Sequence, residues 1–276
     1  MKPLPFAPRA VPAIIVPILA RTGEDAARQA ITVSSHEGVD VLEWRIDPLV
    51  AESRGAGGRE PEVVETEVFD SEAVDSEAVD SEGAGGADWD AELARSYDAF
   101  VRTRIPTLVT VRSEAEGGHC PVERYTEAVE SVIALRPAAV DVEMGREESA
   151  RLLDAAKDAG VATVVSAHSW EATPSSQQLD TAFAVMAASG ADVVKIAVMP
   201  QSMEDVLTLL GATARASQVH DVPVIGIAMG ELGRVTRLCA GEFGSAATFA
   251  TVGAGSAPGQ MTAEQVDLVR SILLRG

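Results

Sequence analysis

Ala162-Thr163-Val164-Val165-Ser166-Ala167-His168 and Ala191-Asp192-Val193-Val194-Lys195-Ile196-Ala197-Val198-Met199 are two short β-branched runs separated by an amphipathic stretch over residues 175–189. Neither run alternates strictly between apolar and polar, the pattern of a parallel strand covered on both faces. Gly160 and Gly190 follow helical stretches as stop signals. Thr173-Pro174-Ser175 and Met199-Pro200-Gln201-Ser202 lead into helices. The unit therefore reads β-α-β, with a histidine at the end of one strand and a lysine inside the next. Burial disfavours an ammonium, so such a lysine is paired, snorkelling, or a neutral amine able to attack a carbonyl.

Outward from this unit the alternation continues. Strands are expected at residues 13–19, 39–45, 107–112, 138–143, 162–167, 192–197, 223–228 and 246–252. Helices are expected at 24–36, 89–103, 122–135, 147–159, 175–189, 202–218, 232–239 and 263–274. Pro106 and Pro223 stand at strand starts, where a missing donor is tolerated. Eight strands alternating with eight helices imply an α/β fold, a (β/α)8 TIM barrel forming one domain over residues 1–276. A doubly wound open sheet is the alternative; no GxGxxG follows the first strand, which counts against its dinucleotide-binding form.

Residues 52–88 interrupt the pattern. They hold the repeat Asp70-Ser71-Glu72-Ala73-Val74, Asp75-Ser76-Glu77-Ala78-Val79, Asp80-Ser81-Glu82-Gly83-Ala84. So acidic and small a segment cannot bury enough surface to offset its ordering entropy, and it reads as a flexible acidic insertion after the second strand. Residues 52–92 carry 14 acids against Arg54 and Arg59, which is −12 of the formal net charge of −20. That charge argues against nucleic acid or an anionic membrane as partner. Residues 11–20 resemble a signal peptide, but Pro12, Pro17 and the following Arg21 favour a first buried strand. Cys120 and Cys239 form neither a CxxC pair nor a disulfide framework, and His119-Cys120 lacks companions for a zinc set. A reduced cytoplasmic setting and no bound metal are expected.

In a barrel the active site lies at the C-terminal strand ends. Polar residues collect there: Glu43, Arg45 and Asp47; Arg112 running on to Glu116; Asp141 and Glu143; His168; Lys195; Arg237; and Ser256 with Gln260. Glu43 with Arg45 is equally readable as an ion pair across the barrel. Arginine forks suit a carboxylate, acids and amides suit hydroxyls, and the amine suits a ketone. The set points to a small polyhydroxylated keto acid handled without cofactor.

These motifs resemble type I 3-dehydroquinate dehydratase, a Schiff-base enzyme of the shikimate pathway. The likeness spans nearly the whole chain outside residues 52–88. It rests on Glu43-Trp44-Arg45-Ile46-Asp47, Arg112-Ser113 with Glu116-Gly117-Gly118, Ser166-Ala167-His168, Thr173-Pro174-Ser175, Lys195-Ile196-Ala197-Val198-Met199-Pro200, Gly244-Ser245-Ala246-Ala247-Thr248-Phe249 and Ser256-Ala257-Pro258-Gly259-Gln260. The resemblance implies a barrel that converts 3-dehydroquinate to 3-dehydroshikimate, with Lys195 forming the imine and His168 moving the proton. It implies that Glu116 tunes His168 and that Glu43 and Arg45 hold ring hydroxyls. Arg237 would clamp the carboxylate, with Arg112, Ser256 and Gln260 completing the site. A homodimer is the expected assembly. The chain departs from the family in Ser169-Trp170 for the usual Asp-Phe, in Thr236-Arg237 for the usual Ser-Arg pair, in Pro17 where the first strand often ends near a substrate-touching serine, and in His119 for the common acid after Gly118. Another Schiff-base barrel enzyme of the class I aldolase kind, or a ligand-binding barrel without catalysis, are the competing readings.

Overall fold

The computed structural model describes residues 3–7, 11–52, 86–253 and 259–273. Its eight parallel strands are β1 (Ala13–Leu19), β2 (Val41–Arg45), β3 (Thr107–Thr110), β4 (Ala139–Glu143), β5 (Ala162–Ser169), β6 (Val193–Val198), β7 (Val224–Ala228) and β8 (Ala247–Phe249). Each pairs with the next in sequence, and β8 returns to pair with β1. The ring closes between β7 and β8 through a parallel bridge, Val224 to Ser245, where the Ala246 amide donates to the Val224 carbonyl at 2.7 Å. The fold is a (β/α)8 barrel, as the alternation implies.

The helices are α1 (Gly23–Ser34), α2 (Asp47–Glu52), α3 (Gly86–Thr103), α4 (Tyr125–Ala134), α5 (Ser149–Asp158), α6 (Ser176–Ala188), α7 (Met203–Val219), α8 (Arg234–Cys239) and α9 (Ala263–Leu273). Ser175 and Ser202 cap α6 and α7 in capping boxes with Gln178 and Asp205. Gly160 and Gly190, at φ +70° and +84°, stand just past α5 and α6, where the chain needs the left-handed region. Among the described residues, no helix is long and apolar enough to cross a membrane.

Alternation along each strand divides the core in two. Outward residues such as Ile14, Leu42, Val109, Val140, Val165 and Val194 pack under the helices in one large apolar layer. Trp44 anchors it, stacked on Phe100 at 4.7 Å and Tyr97 at 6.1 Å between ring centroids. Inward residues Ile15, Val41, Leu108, Ala139, Val164, Val193 and Ile225 fill the barrel's lower interior. One layer higher the inward positions turn polar: Glu43, Thr110, Asp141, Ser166 and Lys195, all buried. The register places Glu143 beside Ser166 and Ser166 beside Lys195.

Most element ends differ from expectation by one or two residues, and three differences are larger. The helix expected over 122–135 is a 3-10 turn (Val122–Arg124) followed by α4, because Pro121 fixes the backbone at its start. The last strand is shorter than 246–252; the Ala250 amide still donates to the Ile15 carbonyl of β1 at 2.9 Å, and Thr251 then bridges Thr262 instead. Helix α2, opened by Asp47-Pro48, occupies residues expected to lie in a loop. The insertion expected over 52–88 therefore starts at the last residue of α2 and runs into α3; residues 53–85 lie outside the described residues.

Candidate active site

Lys195 rises from the middle of β6, 5% exposed, into a cleft of about 370 Å³ at the C-terminal ends of the strands. Its Nζ lies 3.9 Å from Asp141 Oδ2 and 4.8 Å from the centre of the Phe249 ring. Burial pushes its pKa below the usual lysine value. Asp141 and Glu43 oppose that push, while Arg112 and Arg45 add to it. Asp141 Oδ2 is buried without a hydrogen-bond partner, so it lends the amine charge without a close bond. Its other oxygen accepts from Arg112 at 2.9 Å and Ser166 at 2.7 Å.

His168 extends from the end of β5, one layer above Ser166 and level with Ala197 on β6. Its Nδ1 sits 2.8 Å from Glu116 Oε2. Glu116 comes from a 3-10 turn, Glu114–Glu116, which follows β3. Burial holds His168 well below the ordinary histidine pKa, and the cations Arg112, Lys195 and Arg45 depress it further. Burial pushes Glu116 up to about 8 against the pull of Arg112, with Glu143 and Asp141 adding to the rise and Lys195 opposing it. The two groups share one hydrogen bond and so titrate as a pair. When the pair has lost its proton, Nδ1–H faces the carboxylate and Nε2 is free to act as base. When it holds the proton, the pair is an acid.

Arg112 is the hub behind them, 2% exposed. Its guanidinium donates to Glu116, Glu143 and Ser166 at 3.1 Å each and to Asp141 at 2.9 Å. Glu143 is held in turn by the Ser113 amide and hydroxyl and by Arg146. Arg112 lines the cleft, yet these bonds make it chiefly the frame that fixes Glu116, Asp141 and Glu143.

Glu43 and Arg45 also line the cleft, but they do not pair with each other as one sequence reading had it. Glu43 accepts from the Thr110 hydroxyl at 2.9 Å, and Arg45 forks onto Asp47 at 2.7 and 2.9 Å. Asp47 is fully buried and also binds the backbone and ring of His119, each at 3.1 Å. Burial alone would raise its pKa; the bonds and charge of Arg45, then the bonds from His119, hold it below the usual value. Arg237 also lines the cleft, where its Nη1 donates to the Phe249 carbonyl at 3.4 Å. Its Nε is buried without a partner among the described residues, and burial lowers its pKa. Gln260 lines the same cleft, and Ser256 lies outside the described residues.

Lys195, His168, Glu43, Arg45, Arg112, Arg237 and Gln260 thus meet around one cavity, with Glu116 behind His168. Sequence reasoning did not assign roles to Asp47, Phe249 or Trp170. Asp47 stands two residues past Arg45, but the chain has by then left β2 for α2, so strand spacing did not place it. Trp170 was marked only as a departure from the family's usual Asp-Phe, and Phe249 only as the end of a matching block, neither with a role.

A barrel with a desolvated lysine, an imidazole–carboxylate couple and an underused guanidinium at one mouth has the groups that carbonyl chemistry on an anionic compound requires. The family model of type I 3-dehydroquinase matches residues 88–274. A 3-dehydroquinate dehydratase of Shouchella clausii is 34% identical over 269 residues, covering 95% of this chain and 90% of that enzyme. One from Lactiplantibacillus plantarum is 42% identical over 167 residues, 59% of this chain and 66% of that enzyme. Among solved structures, the 3-dehydroquinate dehydratase of Geobacillus kaustophilus superposes with a TM-score of 0.77 at 30% identity, covering 96% of this chain and 91% of that one. A type I enzyme of Clostridium difficile, solved with covalent modified comenic acid, gives 0.79 at 27% identity, covering 98% and 95%. The chain belongs to the type I 3-dehydroquinase family.

Proposed function

We propose that the protein dehydrates 3-dehydroquinate to 3-dehydroshikimate through an imine on Lys195, as a step of the shikimate pathway. The observation that carries this reading is the pairing of a buried, deprotonation-prone amine on β6 with an imidazole on β5, in a cleft also lined by an arginine whose Nε has no partner among the described residues. Lys195 adds to the C3 ketone, and loss of water gives a protonated imine. His168 Nε2 takes a proton from the adjacent carbon, and the electron pair of that C–H bond moves toward the imine nitrogen as an enamine. The pair returns as the C1–O bond breaks, the proton on His168 leaves with the hydroxyl as water, and the C1–C2 double bond forms. Hydrolysis of the imine consumes one water and frees Lys195.

Arg237 is the carboxylate anchor in this scheme, a role its fork geometry suits. Glu43 and Arg45 contact ring hydroxyls, and Gln260 and Ser256 complete the set of substrate-binding side chains. Borohydride added with substrate should fix an adduct to the peptide containing Lys195, and Lys195→Ala should abolish both adduct and turnover. His168→Ala should lose ~10²-fold or more in kcat while still forming the adduct. Cleavage of a carbon–carbon bond, or full turnover in Lys195→Ala, would refute the reading.

A further inference from the structure

Trp170 sits one residue past the end of β5 and is 45% exposed at the rim of the cleft. Burial does not account for so large an apolar group there. Its bonding does: Nε1 donates to the Glu116 carbonyl at 2.8 Å. The indole also lies flush on the next residue, Gly117. A Cβ built on Gly117 would stand 2.4 Å from the indole Cε2, and at φ +77° that position is already reserved for glycine. His168 and Trp170 are two residues apart, and both grip Glu116, one at its carboxylate and the other at its main chain.

We propose that Trp170 is a positioning residue: its indole N–H tethers the 114–117 turn so that the Glu116 carboxylate stays on His168 Nδ1 and Nε2 stays turned to the cavity. The proposal rests on the reading of His168 as the proton carrier. Several charges face the Glu116–His168 couple. Arg112 comes from beyond β3, Asp141 and Glu143 from β4, Lys195 from β6 and Arg45 from β2. Arg112 shares the same Glu116 oxygen at 3.1 Å. A carboxylate freed from its tether therefore has a cation to follow instead of the imidazole. Of the two properties of the residue, aromatic bulk and a donor, phenylalanine supplies the first and lacks the second.

The sign of the effect follows from the couple. Held together, carboxyl and imidazole release their proton late, because the buried carboxyl keeps it. Uncoupled, His168 titrates alone at its depressed pKa. Trp170→Phe in the full chain should lower kcat for 3-dehydroquinate by ~10-fold or more, with KM changed less than ~2-fold. The rising limb of the kcat–pH profile should move to lower pH, and borohydride trapping of Lys195 should stay at the wild-type level. In a Glu116→Gln background, Trp170→Phe should add nothing further, because the tether then has no carboxylate to place.

Three results would overturn the proposal: a wild-type profile in Trp170→Phe when Trp170→Ala is impaired, an additive loss in the double variant, or a parallel fall in kcat and trapping. If the wild-type protein leaves 3-dehydroquinate unchanged, the functional reading fails instead. The His168 ring titration, followed by NMR without substrate, then decides on Trp170 alone. A lower imidazole pKa in Trp170→Phe than in wild type supports the tether, and an unchanged one refutes it.

Discussion

Glu116 holds a proton that most surface glutamates would have lost. Burial moves it from 4.5 to about 8, so the folded protein binds a proton there that the unfolded chain releases. A carboxyl raised in this way contributes its full stability below pH 4.5 and loses that contribution as pH rises through about 8. Glu116→Gln keeps the shape without the ionisation. Urea midpoints measured at pH 5 and pH 8.5 should therefore fall less in Glu116→Gln than in the wild type; equal falls would show that the residue ionises in the fold as it does in water. At this scale the sequence was informative where strands carry the group, since the two-residue period aims Glu43, Asp141, His168 and Lys195 inward. It was less so for loop-borne contacts. The Arg45–Asp47 fork, and not a pair with Glu43, depends on α2 turning Asp47 back toward its own strand, which no local pattern announces.

Among the elements, the β5-α6-β6 unit was legible because β-branched runs, capping serines and glycine stops all agree on the same boundaries. Strand β8 was overextended because Thr251 and Val252 look like strand, whereas after the bond from Ala250 to Ile15 the chain turns to bridge Thr262 ahead of α9. Packing between elements adds constraints that periodicity cannot express. Gly226 in β7 faces Thr213 of α7, and a Cβ there would lie 2.0 Å from the Thr213 hydroxyl, which is bonded to the Leu209 carbonyl. Gly226→Ala should destabilise by ~1–3 kcal/mol. Most of that loss should be recovered in the double variant with Thr213→Ala, as read from denaturant midpoints of the four proteins. Simple additivity would mean that the strand and helix do not meet there.

Across the whole molecule the formal charge of −20 opposes the approach of any anionic substrate. Residues 53–85 hold ten acids and two bases, so a chain lacking them carries −12. For wild type, kcat/KM with 3-dehydroquinate should rise as salt goes from ~10 to ~150 mM, because screening shortens the reach of that repulsion to about 8 Å. The shortened chain should show a shallower rise. Identical slopes would mean that the guanidinium groups at the mouth alone govern the encounter. The barrel itself followed from counting alternating runs, while the acidic segment has no counterpart in that count and was recognised by composition.

The ring of strands is unevenly fastened. Lys195 lies between two broad joints on one side, whereas Phe249, which roofs its amine, belongs to a three-residue strand bridged to β7 at Val224 and Ser245. A hoop gives first at its thinnest weld. The aromatic face against the Lys195 amine is thus held by fewer main-chain bonds than the strands that flank the lysine itself.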